Sequence, residues 1–431
     1  MWLRLSRSGG NKPRRAILWL AAVLNFGLAA GVQAGSQAET LPGTSLIAML
    51  EWLDAHHPEL AAMRLERDAS AARVQPAGAL PDPMLAVEWR DIRYDSPTLD
   101  PTQVGAMRYQ FRQSFPLWGK RDLQRQVAEA GVAVATADQG QTRLDLRRQL
   151  KRVYAQWITA RETARLLREQ QAWLEDAERL ARGRYAAGLA PQALVLRAQT
   201  ELAMLQNEQV QAEADIRRAL VRINALLLRP ADAPLAEPAG FAPLPAQPDW
   251  TRLQQRLQDA NPQLHRAAAE VDASTHAAQL TRRNRWPDLT VGVAPMQVGS
   301  RFDTWELMLE INLPLQQASR RSQEREASLL RDAAAARQTA LEASLQGDLA
   351  ELRADYETAL HHAHVLEATV LPQIELAWRS ARAAYASGGG DFAALIETQR
   401  ALQRVRMDRV NAARDARLAL AEIELRVGGE L

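Results

Sequence analysis

The sequence predicts a mostly α protein with a small β part, built as two structural repeats of one unit. Three observations carry this. A short motif occurs twice, 200 positions apart: Arg184-Tyr185-Ala186-Ala187-Gly188 followed by Leu194, Gln199 and Leu202, and Ala384-Tyr385-Ala386-Ser387-Gly388 followed by Ala394, Gln399 and Leu402. Each motif is reached by a long stretch (118–185 and 316–385) whose apolar residues recur at 3-4 spacing, and a second such stretch leaves it. Ahead of each long stretch the apolar period changes from helical to two. The paired motifs read as tips of helical hairpins, with a glycine free to take the left-handed backbone that ends a helix.

Residues 1–34 have the layout of a signal peptide. Arg4, Arg7, Lys12, Arg14 and Arg15 precede the apolar run 16–30, and Val32-Gln33-Ala34 fits the small-x-small cleavage rule, with Ser36-Gln37-Ala38 as a second option. An uncleaved anchor is the alternative, over a span that is short and broken by Asn25. Arg14-Arg15 also fits a twin-arginine signal. The leader holds five basic residues and no acid, so 53 basic against 51 acidic residues becomes 48 against 51, a mature charge of −3, and a nucleic-acid partner is not expected. The chain has no cysteine, which excludes disulfides, thiol catalysis, cysteine-ligated metal and a lipidated cysteine.

In the first repeat (35–228), Leu46, Met49, Leu50, Leu53, Leu60, Met63 and Leu65 predict a helix over 41–75 that restarts at His57-Pro58; the echo of that joint is Asn261-Pro262. Leu85, Val87 and Trp89, then Met107, Tyr109 and Phe111, alternate with polar residues as a β-hairpin of one apolar and one polar face. The next helix carries Leu150, Val153, Trp157, Ala160, Ala164, Leu167 and Leu174 at coiled-coil spacing. A return helix covers about 190–228, and a proline-rich linker covers 229–248. The second repeat (249–431) does the same: strands at Leu289, Val291, Val293 and at Trp305, Leu307, Leu309, Ile311, a long helix with Leu345, Leu349, Leu352, Tyr356, Ala359, Ala363 and Leu366, an expected kink at Pro372, and a return helix over 391–427. Strands of about 11 residues are long enough to cross a bilayer when tilted.

Four amphipathic strands cannot close a barrel, and an open sheet edge cannot sit in lipid. Either the strands cover a soluble helical body, or several chains pool them. Three chains would supply twelve strands, an even number in the range of outer-membrane barrels.

At this point the chain resembles the TolC-type outer membrane factors, the exit ducts of Gram-negative tripartite efflux pumps and type I secretion systems. The resemblance rests on Phe115-Pro116-Leu117-Trp118-Gly119-Lys120-Arg121, Arg184-Tyr185-x-x-Gly188, Leu196-x-Ala198-Gln199 and Asn224-x-Leu226-Leu227, in this order and largely duplicated. It implies a homotrimer with a 12-stranded outer-membrane β-barrel and a periplasmic α-helical barrel of coiled helical hairpins. It also implies a periplasmic adaptor (membrane fusion protein) docked on the tips and an inner-membrane transporter of the RND type beneath, with no cofactor. The chain departs from many members in lacking a lipidated cysteine, so anchoring would rest on the barrel and its contact with membrane lipid. It also lacks the acid of Asp-Val-Leu-x-Ala-Gln, having Ala193-Leu194-Val195-Leu196-Arg197-Ala198-Gln199 instead. The Pro81-Asp82-Pro83-Met84 strand opening resembles the heavy-metal cation branch; drugs or a secreted polypeptide are the alternative cargoes. In a different class altogether, the chain would be a non-channel periplasmic coiled-coil scaffold.

The resemblance assigns an acidic pore constriction just after the second tip, where Glu397 matches one ring position and Asp391 lies nearby; the plain alternatives are a solvated face for Glu397 and a helix cap for Asp391. Gly188, Leu189, Gly388 and Gly389 are the adaptor-contact candidates, although the glycines also simply end helices. Arg108, Arg112, Glu306, Glu310 and Asn312 would face the barrel lumen. His361, His362 and His364 form the one histidine cluster; His361 and His364 share a helix face, but the seam at Ala359, Ala363 and Leu366 leaves them off it, so they are only weak metal candidates. An enzyme reading has no support: the sequence contains no phosphate loop, His-Glu-x-x-His or Gly-x-Ser-x-Gly.

Overall fold

A computed structural model describes residues 45–431 apart from 93, 96 and 246–248. The expected signal peptide lies outside the described residues, as do residues 41–44 at the start of the first expected helix. The first half contains α1 (Leu46–His56), α2 (Pro58–Ala72), α3 (Val74–Ala77), β1 (Met84–Arg90), β2 (Ala106–Phe115), α4 (Lys120–Ala186) and α5 (Gln192–Leu226). The second contains α6 (Trp250–Ala260), α7 (Pro262–Arg283), β3 (Leu289–Val298), β4 (Arg301–Ile311), α8 (Gln317–Val365), a π-helical turn at Leu366–Val370, α9 (Leu371–Ala386) and α10 (Phe392–Arg426).

The proline joints repeat in detail. His57 ends α1 and caps α2, with its side chain accepting from the Glu59 amide and Pro58 at the first helical position. Asn261 ends α6 and caps α7 in the same way, accepting from the Leu264 amide, ahead of Pro262. Proline suits that position because its missing N–H is one of the helix's orphan donors anyway.

α4 has 67 residues, about 100 Å at the α-helical rise. Every residue of its expected seam is buried, from Leu150 at 0% exposure through Trp157 to Leu174. Two equivalent cores form on the seams. One gathers Met49, Leu53, Leu150, Trp157 and Ile223. The other gathers Leu253, Leu257, Leu349, Tyr356 and Ile423. A third core joins the two tips through Ala181, Val195, Tyr385, Phe392 and Ile396. The linker is pinned between the cores: Leu235 and Phe241 pack on the first, Leu244 on the second, and the Tyr356 hydroxyl donates to the Pro245 carbonyl at 3.0 Å.

The expected break at Pro372 takes the form of the π-helical turn just before it, closed by the Leu371 amide donating to the Leu366 carbonyl. Proline cannot donate to the carbonyl four residues back and clashes with it in a regular helix, so the wider turn removes the conflict.

The two hairpins join into a single antiparallel sheet of order β1-β2-β3-β4. β2–β4 have 10, 10 and 11 residues, as expected, but β1 has only seven. Pro81 and Pro83 before it cannot donate to a ladder, and Asp91 ends it in a left-handed conformation (φ 55°). A sharp turn at Gly299 (φ 61°) joins β3 to β4.

Near the end of the chain an ionic cluster fixes α1 and the C-terminal residues to α4. Asp54 receives Arg143 and Arg147 at 2.6 Å each, Arg147 reaches Glu430 at 2.6 Å, and Lys151 holds Glu424 at 2.6 Å and Glu430 at 3.1 Å. Burial alone would raise the Asp54 carboxyl, but the Arg143 hydrogen bond and the Arg147 charge outweigh it and hold it below the usual range. A depressed folded-state pKa stabilises above the unfolded value, near 3.9, and the gain is lost as pH falls through the folded value. Asp54→Asn is therefore expected to lower the thermal unfolding midpoint at pH 7, with the difference from the parent shrinking below about pH 4 in a circular-dichroism titration.

Candidate functional site

The sheet separates two chemistries. On one face Leu85, Trp89, Phe111, Trp305, Leu307, Leu309 and Ile311 are exposed, Leu307 at 82%. On the other, Arg108 meets Glu306 across the sheet at 2.8 Å and Glu88 on the neighbouring strand at 3.4 Å. Arg112 lies over Gly292, where a Cβ would stand 3.1 Å from its Cγ, and Glu310 sits opposite Thr290. The expected lumen residues thus share the polar face by register, and Arg108, Glu88 and Glu306 form a cross-strand ion row. β1 and β4 are the edges of the sheet.

The junction below the sheet is built from the Phe-Pro-Leu-Trp-Gly-Lys segment. Trp118 and Gly119 both take left-handed backbone (φ 64° and 73°), which turns the chain from β2 into α4. Lys120 is 5% exposed; its ammonium holds the Asp288 carboxylate at 2.8 Å and the Trp286 carbonyl at 2.9 Å, so the two junctions are locked together.

At the far end the helices turn at Gly188 and Gly388, with φ of 72° and 87° and open space where a Cβ would point. Their amides donate to Tyr185 and Tyr385 carbonyls. Leu189 is 71% exposed, and Gly389 also has open space around its Cα. Gly390, which sequence reasoning passed over, is closely packed: a Cβ there would stand 2.7 Å from the Tyr385 nitrogen. The echo is broken at the tyrosines, since Tyr185 is 46% exposed and Tyr385 only 3%. Arg184 explains the difference by crossing to the second tip, where its guanidinium lies 5.0 Å over the Tyr385 ring and donates to the Tyr385 carbonyl at 3.3 Å.

Glu397 is exposed but not alone. It pairs with Arg197 at 3.1 Å and Arg400 at 3.5 Å, and Arg400 also pairs with Glu201. Two carboxylates and two guanidiniums therefore bind α5 to α10 with no net charge. The signal was present in the repeat: Arg197 and Glu397 occupy equivalent positions with opposite charge. Asp391 caps α10, accepting from the Ala393 amide at 3.1 Å. Higher up, Gln170, Trp173, Trp378, Gln399, Gln403 and Arg406 line a cavity of about 150 Å³ between the hairpins. This makes that part of the contact polar rather than a dry apolar seam. His361 and His364 are both exposed on α8, and no group of three potential metal ligands occurs among the described residues. No described helix is long and apolar enough to cross a membrane.

Residues 50–227 match the outer membrane efflux protein family. No curated protein matches the chain in sequence. Among solved structures, the chain is similar to the outer-membrane channel OprN, at 20% identity over 89% of this chain and 90% of that one, with a TM-score of 0.76. It is similar to the outer membrane protein VceC of Vibrio cholerae, at 18% identity over 89% and 96%, TM-score 0.76. It is also similar to CusC, whose structures describe transmembrane channel formation, at 12% identity over 93% and 96%, TM-score 0.76. Residues 50–227 therefore carry the match to the outer membrane efflux protein family, and the fold over 89% of the chain is shared with these channel structures.

Proposed function

We propose that the protein is the outer-membrane exit duct of a tripartite efflux pump, passively conducting cargo handed on by an inner-membrane transporter of the RND type through a periplasmic adaptor. The observation that carries this reading is the sheet: an exposed apolar face, a charged opposite face and two edge strands without partners. Lipid would satisfy the first, a wet lumen the second, and strands of two further copies the third. On this reading the chain divides into a signal peptide (1–34), two repeats (35–228 and 249–431) and the linker between them, and assembles as a homotrimer. The adaptor would sit on the turns at Gly188, Leu189, Gly388 and Gly389. If protein extracted from the outer membrane scatters light as a monomer once detergent is subtracted, the barrel reading fails.

The mixed signs of Arg108, Glu88 and Glu306 in the sheet, and of Arg197, Glu201, Glu397 and Arg400 at the mouth, favour a permissive conduit over a selective one. Heavy-metal cations are the proposed cargo, on the likeness of the Pro81-Asp82-Pro83-Met84 opening. A deletion strain is expected to lose growth in graded zinc, cobalt, cadmium or copper and to regain it with the restored gene. Sensitivity to dyes and antibiotics alone would discard the metal assignment and leave the duct.

Glu397 would act at the mouth as one member of the α5–α10 ionic tie. Glu397→Arg is expected to raise the open probability in planar bilayers by a few-fold, the scale of a partly exposed pair worth about 0.2–1 kcal/mol. Adding Arg197→Glu should return it towards the parent. Two effects that merely add would show that the pair does not hold the mouth.

A further inference from the structure

A group of arginines lies where the sheet gives way to helices. α7 ends in Arg282 and Arg283. α8 starts with no acidic residue in its first turn and carries Arg320, Arg321 and Arg325 in its first nine residues. Arg285 reaches Glu324 at 3.7 Å, and Arg331 pairs with Asp332 at 2.6 Å. Among the described residues, no ion pair engages Arg282, Arg283, Arg321 or Arg325, all of them exposed. A helix start is the positive end of its dipole, so cations there are disfavoured. Arg321 and Arg325 are also like charges at i, i+4. Arg282 and Arg283 sit at the C-terminal end of α7, where a cation is favoured, whereas the arginines at the start of α8 would be relieved by an anion.

The arginines are also placed to receive one. Arg282 from α7 and Arg321, Arg325 and Ser328 from α8 line a groove of about 310 Å³, with Glu324 its one carboxylate. The groove lies close to the end of the exposed apolar face. Leu309, Ile311, Leu313 and Leu315 are 50–82% exposed down to the start of α8, and Arg321 is four residues into that helix, about 6 Å along it. Beside them Trp118 and Trp286, each 47% exposed, lie with ring centroids 5.2 Å apart and planes tilted by 34°. Half-exposed indoles at the rim of an apolar band mark the level of lipid headgroups.

We propose that the α7–α8 groove binds the phosphate of an anionic phospholipid in the leaflet nearer the helices, with the acyl chains against the apolar foot of β4 at Leu313 and Leu315. This rests on the sheet spanning a membrane. The surplus of guanidinium groups selects an anionic headgroup over a zwitterionic one, whose ammonium they would repel. Continuity with the apolar face selects a lipid over a free phosphate.

The test uses the full chain in two steps. Flotation with neutral phosphatidylcholine vesicles checks membrane insertion alone, and failure there overturns the membrane reading itself. Detergent-released protein is then titrated with phosphatidylglycerol, phosphatidylcholine and inorganic phosphate, with bound lipid counted by native mass spectrometry. Phosphatidylglycerol is expected to be retained about tenfold more than phosphatidylcholine. The triple variant Arg282→Gln, Arg321→Gln, Arg325→Gln should lose that preference while still floating; Arg217→Gln, an exposed arginine on α5, should keep it. If the triple variant does not float, the single variants Arg282→Gln and Arg325→Gln take its place, each expected to lose about two- to threefold. Equal retention of the two lipids, or a preference that survives the substitutions, overturns the proposal. So does displacement of the lipid by millimolar inorganic phosphate, which would mark a free-anion site.

Discussion

The rest of the structure depends on the uninterrupted apolar stripe of α4. Nothing in its 67 residues breaks the helix: it contains no proline, and its three glycines are carried within regular helix. α2, α5, α7 and α10 all pack on it. Its small members, Ala130, Ala137, Ala160, Ala164, Ala177 and Ala181, let neighbouring helices approach, while Leu150, Trp157 and Leu167 fill the space between them. Such a stripe stabilises by area removed from water, roughly 25 cal/mol per Å². A polar residue in mid-stripe would therefore disturb several contacts at once, because the same residues serve both repeats.

What was legible in the sequence is what leaves a period. The seam through Leu150, Trp157, Leu349 and Tyr356 was readable because burial on a helix recurs every 3.5 residues. The strands were readable because their faces differ in chemistry. What was not legible lacks a period or depends on a second element. The shortness of β1 turns on the backbone of Asp91, a residue any turn tolerates. The linker holds to both cores through Leu235, Phe241 and Leu244, which sit in no repeat. Arg197 and Arg400 look like ordinary solvated residues until α5 and α10 are brought together. Tyr185 and Tyr385 are indistinguishable in sequence, yet only one is buried, because Arg184 of the first tip crosses to the second.

Between the cores and the tips, the hairpins meet through glutamines, tryptophan indoles and the Arg406 pairs with Glu169 and Glu375 at 3.8 and 3.2 Å. Such groups exchange protein partners for water at little net cost, whereas separating a dry apolar seam would not. These polar contacts lie beside the apolar core that joins the tips, while at the other end Lys120 and Asp288 tie the two strand-to-helix junctions together.

The π-helical turn also coincides with a change in spacing between the two halves. Above it, equivalent residues are 199 positions apart: Leu146 and Leu345, Leu150 and Leu349, Trp157 and Tyr356, Leu167 and Leu366. Below it they are 200 apart: Tyr185 and Tyr385, Gln199 and Gln399, Ile223 and Ile423. The count changes by one residue across the interval that contains Leu366–Val370. One residue added to a regular helix would swing everything beyond it by about 100°. Spread over a wide turn, it leaves the downstream faces where they were. The π-helical turn thus takes up the one-residue difference between the two copies.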